Sequence, residues 1–120
     1  MLQSSIIPLL TPFNRFEFYN ALRLSEFRRL LPKKHAALLI AAFEKDLATE
    51  YFTEVFCNLA MVVAEAQHLS ASYVTQEGHR AFDILHVAAA LHLRAEIFLT
   101  FDKKQQTLAK SQGLKTPLVI

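Results

Sequence analysis

Apolar residues recur along this chain with two periods, one suited to strands and one to helices. Residues 5–10, SIIPLL, form a short apolar run that predicts a buried or edge strand, with Pro8 favouring an edge or a bulge. Thr11-Pro12 then has the form of a helix start: a hydroxyl able to cap and a proline for the first turn. Across 13–30, Phe16, Tyr19, Leu22, Leu24, Phe27 and Leu30 fall at mixed helical spacings, and Pro32 ends the run. A second helix is predicted over 33–49, where Leu38, Leu39, Ala42 and Leu47 lie largely on one side. Residues 51–56, YFTEVF, are β-branched and aromatic and predict a strand. Asn58 is placed to cap a core helix over 59–71.

The second half continues the alternation. Residues 75–80, TQEGHR, predict the clearest loop. The helix predicted over 82–94 is apolar on nearly every side, as expected of a helix buried between layers. Residues 95–101, AEIFLTF, predict a strand, and Asp102 leads into a helix over 103–112 with Gly113 at its C′ position. PLVI within 115–120 predicts a last strand. Strands alternating with helices in this order imply an α/β sandwich, a mostly parallel sheet flanked by helices. At 120 residues the chain is expected to form one domain, 1–120, around one core.

Composition narrows the possibilities. Hydrophobic residues make up 52% and charged residues 20%, which is globular rather than disordered. Cys57 stands alone, so an intramolecular disulfide is excluded, and a buried thiol is the expectation. No apolar run is long enough to span a membrane. MLQSSIIPLL lacks a basic n-region and has too short an apolar core for a signal peptide, so a cytoplasmic location is expected. A net charge of +2 is too small to argue for nucleic-acid binding by itself. The cations do cluster, at Arg23, Arg28, Arg29, Lys33 and Lys34, and again at Lys103, Lys104, Lys110 and Lys115.

The acidic residues carry the candidate chemistry. In open α/β sheets, functional groups gather beyond the carboxyl ends of strands. Asp102 directly follows IFLTF, Glu17 lies early in the helix after SIIPLL, and Asp83 opens the buried helix. Convergence of these three segments on one edge of the sheet is the expectation. Carboxylates held close together repel or take up a proton unless a cation offsets them. Mg²⁺ suits one or two carboxylates completed by water and phosphate oxygens. The alternative for each Asp is a helix cap or a partner of the helix dipole, and for Glu17 a solvated helix position. Asp46, in a helix interior among Glu44, Lys45 and Glu50, is expected at the surface.

The stretch Arg80-Ala-Phe-Asp83-Ile-Leu-His86-Val-Ala, followed by Thr100-Phe-Asp102-Lys-Lys-Gln and Leu108-Ala-Lys-Ser-Gln-Gly113, resembles the C-terminal half of PIN domains, above all the VapC-type toxin ribonucleases. Upstream, Thr11-Pro-Phe-Asn-Arg-Phe-Glu17-Phe-Tyr-Asn20 resembles that family's second acidic motif. The resemblance implies a PIN-like three-layer sandwich and a pocket in which acidic residues hold Mg²⁺ or Mn²⁺. It assigns Glu17, Asp83 and Asp102 as metal ligands and catalytic carboxylates. Thr100, Arg80, His86 and Asn20 are assigned as supporting residues: Thr100 through a hydroxyl hydrogen bond, Arg80 through a phosphate, His86 by packing. It further implies an RNA substrate, hydrolysis by water that the metal activates, and an antitoxin protein as partner.

One departure from the family pattern stands out. PIN domains open with an apolar strand ending in Asp, whereas the sequence here corresponds to the family from its second strand onward and has no Asp before Asp46. An N-terminally truncated sheet exposes two rows of backbone donors and acceptors, which invites pairing. Either the N-terminal residues rearrange to fill the gap, or a second copy pairs or swaps a strand across it; a homodimer or higher oligomer is the expectation. The leading functional expectation is a Mg²⁺- or Mn²⁺-dependent endoribonuclease of toxin–antitoxin type. The alternative is a catalytically impaired PIN remnant serving as a protein-binding or self-assembly module.

Overall fold

The computed structural model describes residues 9–49, 52–100 and 102–117. Its chain is mixed α/β, mostly helical, and divides into two compact units, Met1–Phe56 and Cys57–Ile120.

The first unit begins at β1, Leu9–Leu10, and passes at once into helix α1, Pro12–Phe27. Thr11 makes that transition local. Its hydroxyl accepts the Asn14 N–H at 3.2 Å, and the Asn14 side-chain oxygen accepts the Thr11 N–H at 2.9 Å, a reciprocal capping box. Proline at the first helical position sacrifices no helical hydrogen bond. The helix stops three residues earlier than its apolar spacing predicts. Arg29 turns the chain with φ of 63°, and the Leu30 N–H reaches back to Ser25 O at 2.8 Å. After Pro32, helix α2 spans His35–Ala48. The Glu26 carboxylate accepts the Ala36 N–H at 2.9 Å, meeting one of the open donors at the start of α2.

Helices α1 and α2 pack on each other, with Phe43 at the centre of an aromatic cluster. Its ring centroid lies 4.9 Å from Phe18, 6.1 Å from Tyr19 and 5.4 Å from Phe52. Strand β2, Thr53–Glu54, then pairs in parallel with β1, Leu9 opposite Thr53 and Leu10 opposite Glu54. Arg15 ties the helices to this strand: its guanidinium donates to Glu54 at 2.8 Å and reaches Glu44 at 3.5 Å. The described parts of the two strands are shorter than SIIPLL and YFTEVF suggest. Residues 5–8 and 51 of those predicted strands lie outside the described residues.

The second unit opens with α3, Leu59–Leu69, capped by the Asn58 side chain, which accepts the Met61 N–H at 3.0 Å. The helix does not end at residue 71. It continues through a π-helical turn, Ser70–Val74, into α4, Thr75–Glu77. The loop predicted over 75–80 is thus only its second half. Gly78, with φ of 72°, terminates the helix, because an L side chain is disfavoured in that conformation. Helix α5, Ala81–His92, buries Ile84, His86, Val87, Ala88 and Ala89, in keeping with its apolar surround. Val62 and Leu69 of α3, Val87 of α5 and Leu108 of α6, Lys103–Ser111, are all almost fully buried. Each contributes about 1.5–3 kcal/mol through the water it excludes.

Among the described residues, the run AEIFLTF pairs through one bridge, Ile97 in parallel with Lys115. The Phe98 N–H donates to Lys115 O at 2.8 Å and the Lys115 N–H to Glu96 O at 3.0 Å. Residues 101 and 118–120 of the last two predicted strands lie outside the described residues. Gly113 ends α6 with φ of 89°, as its position after the helix predicts. Cys57 is half-buried rather than fully buried, and burial pushes its thiol pKa up, which disfavours the reactive thiolate. Among the described residues, no helix is long and apolar enough to cross a membrane.

Candidate functional site

Two helix starts in the second unit meet around one cleft. Arg80 is the N-cap residue of α5, and Asp83 lies in that helix's first turn. Asp102 is the N-cap of α6. Both aspartates line an open cleft of ≈ 480 Å³ together with Gly78, His79, Arg80, Lys103 and Lys104. Nineteen positions of sequence separate the two carboxylates, and the packing of α5 on α6 brings them to the same cleft.

Each carboxylate has a defined partner. Asp83 is largely shielded, its side chain 17% exposed, and accepts from Arg80 Nε at 3.2 Å while Arg80 itself stays 83% exposed. Asp102 Oδ1 accepts the Gln105 N–H at 3.1 Å, a side-chain cap on α6. Thr100 supports it from behind: its hydroxyl accepts the Asp102 N–H at 3.1 Å. That hydroxyl in turn donates to Gln105 Oε1 at 2.6 Å.

Gln105 and His79 are residues that sequence reasoning passed over. Gln105 is buried, 7% exposed, although Lys103 and Lys104 beside it are exposed. Its Nε2 donates to the backbone carbonyl of Asp83 at 3.0 Å. Within the run Lys103-Lys104-Gln105-Gln106 a glutamine looks like one more solvated residue, and nothing local distinguishes it. The His79 side chain is 2% exposed, and its Nε2 lies 2.8 Å from Glu77 Oε1. The pair spans the Gly78 turn, and only the position of His79 between Gly78 and Arg80 hinted at it.

His86 is buried in α5, its ring edge-on to Phe82 at 6.0 Å, so it packs within the unit. Glu17 and Asn20 occupy exposed positions of α1 in the first unit. Thr100, Arg80, Asp83 and Asp102 are therefore gathered at one place, and Glu17 and Asn20 belong to the first unit.

The donor set suits a hard cation in part. Two carboxylates offer oxygen ligands, and Mg²⁺ commonly takes one or two carboxylates with water and substrate phosphate filling the rest. Within this unit, no group of three or more His, Cys, Asp or Glu side chains is arranged to hold a metal among the described residues. Arg80, Lys103 and Lys104 add cationic charge at the rim, suited to a phosphate backbone. The chain matches no family profile, no curated protein and no solved structure.

Proposed function

We propose that the cleft between the starts of α5 and α6 is the active site of a Mg²⁺- or Mn²⁺-dependent endoribonuclease, of the toxin type that the sequence motifs resemble. The observation that carries this reading is the shared cleft of Asp83 and Asp102, two acidic residues from separate helix starts, rimmed by Arg80, Lys103 and Lys104. Asp83 and Asp102 are the proposed metal ligands. Glu17, in the first unit, is kept as a candidate carboxylate on its motif resemblance alone.

A divalent cation, when bound, supplies the charge that activates water and offsets the charge developing at phosphorus. The chain's own residues do the rest. Lys103 and Lys104 attract and orient the RNA backbone, and Arg80, exposed at its tip, is placed to exchange its contact with Asp83 for a phosphate oxygen. Thr100 holds the Asp102 backbone, so that carboxylate leaves a fixed point of the chain. The PIN-like three-layer sandwich is proposed with the function, supported by the parallel pairing of β1 with β2 and the parallel bridge of Ile97 to Lys115.

A second reading has its own support. Asp102 already caps α6 and Asp83 already pairs with Arg80, which are the structural roles expected of aspartates at helix starts. On that reading the chain is a catalytically impaired relative serving as a binding or assembly module. Cleavage assays on mixed single-stranded and structured RNA separate the two. Cleavage that requires Mg²⁺ or Mn²⁺, stops in chelator and is lost in Asp102→Asn supports the nuclease. Cleavage surviving chelator or that substitution, or no cleavage by the wild-type chain, rejects it.

A further inference from the structure

We infer that Gln105 is the positioning residue of this cleft, holding the Asp83 and Asp102 segments in the mutual placement that a shared divalent cation requires. This inference rests on the metal-binding reading of the cleft and adds a residue that the motifs do not mark.

Gln105 is hydrogen-bonded to both aspartate segments and to Thr100. Its backbone N–H donates to the Asp102 carboxylate at 3.1 Å. Its side-chain Nε2 donates to the Asp83 carbonyl at 3.0 Å. Its Oε1 accepts the Thr100 hydroxyl at 2.6 Å, and that same hydroxyl accepts the Asp102 N–H at 3.1 Å. One side chain thus bridges the first turn of α5, the start of α6 and the residue two before Asp102.

The chemistry of these partners selects an amide. The Asp83 carbonyl can only accept, so it needs the NH₂ end. The Thr100 hydroxyl uses a lone pair for Asp102 and has one proton left to give, which needs the oxygen end. Glutamate lacks the donor, and an apolar residue of equal length lacks both. With Gln105 only 7% exposed, water competes weakly for these bonds, so the network is stiff. Metal ligands depend on such outer contacts for their orientation. Lys103 and Lys104 are exposed while Gln105 points inward, which sets Gln105 apart from a general solvating role of the run.

The test is Mn²⁺ binding to the full chain, followed by electron paramagnetic resonance of free and bound ion. Wild type, Gln105→Met, Thr100→Val and Asp102→Asn are compared at a temperature where circular dichroism shows each one folded. Met keeps the length of Gln105 and removes both hydrogen-bonding ends; Val keeps the shape of Thr100 and removes its hydroxyl. Gln105→Met is expected to weaken Mn²⁺ binding about ten- to hundredfold, the usual scale for losing an outer-shell contact, with Thr100→Val weakened in the same direction. A residue that only packs would lower the melting temperature and leave the affinity of the folded protein unchanged. If Gln105→Met and Thr100→Val bind as tightly as wild type while Asp102→Asn does not, the positioning role is wrong and the metal site stands. If wild type shows no saturable binding, the metal site falls and the positioning role falls with it. Should Gln105→Met fail to fold, the affinity of Thr100→Val decides alone.

Discussion

The Asp102 carboxylate accepts the backbone N–H of Gln105 at 3.1 Å, so the residue proposed to hold a cation is also the N-cap of α6. The two roles respond differently to substitution. Asparagine caps as well as aspartate, whereas alanine removes the acceptor. Asp102→Asn is therefore expected to unfold in urea close to wild type, and Asp102→Ala to lose about 0.5–2 kcal/mol. Both are expected to lose RNA cleavage. Cleavage by Asp102→Asn at the wild-type rate would show the carboxylate to be a cap alone.

Glu26 carries a pH dependence in the first unit. Accepting the Ala36 N–H, with the Lys34 N–H and nearby His35 and Lys33 adding smaller contributions, holds its carboxyl below the usual carboxylate range. A folded-state pKa below the unfolded one stabilises the fold above the ordinary carboxylate pKa, and that contribution is lost as pH falls through the lowered value. Wild type is thus expected to lose more stability than Glu26→Gln over the acid range, with the two curves running parallel near neutrality. Urea unfolding at a series of pH values checks this; identical acid slopes would remove Glu26 from the account.

Gly113 isolates a backbone effect. Its φ of 89° lies in the left-handed region, and a Cβ built there meets nothing within 4 Å. Gly113→Ala is accordingly expected to cost about 1–2 kcal/mol through backbone strain alone. The Leu114 N–H donates to Ala109 O at 3.1 Å across this turn, and Leu114 is buried, so the strain falls on a closed helix end. Gly113→Asn should cost less, because Asn tolerates this conformation better. Chemical denaturation of both variants gives the comparison, and equal costs would point to a steric rather than a conformational origin.

Features written in a few adjacent residues were legible in the sequence. Thr11 with Pro12, Asn58, Asp102 and Gly113 mark helix ends by local chemistry, and each stands at a helix end in the structure. The apolar surround of residues 82–94 likewise identifies α5 as a buried helix. Features that depend on distant partners were not legible. Residues 75–77 look like loop because TQEG is polar, yet the helix runs through Ser70–Val74 and stops only where Gly78 permits a left-handed turn. AEIFLTF has strand composition, but among the described residues it forms a single parallel bridge, Ile97 with Lys115, closed by the backbone hydrogen bonds of Glu96 and Phe98 to Lys115.

The same division holds for the site. Asp83, Thr100 and Asp102 announced themselves through motif wording and lie around one cleft or directly behind it. Gln105 has its significance in a carbonyl 22 positions earlier, and no pattern within KKQQ carries that information. His79 is concealed in a similar way, because its burial against Glu77 follows from the Gly78 turn between them.

Calorimetric titration of the full chain with Mn²⁺, set beside the Asp83→Asn/Asp102→Asn double variant, measures the shared carboxylate site most directly. Saturable binding by wild type that disappears in the double variant, with both proteins folded, is the predicted result. Binding that persists in the double variant, or a wild-type chain that takes up no Mn²⁺, contradicts it.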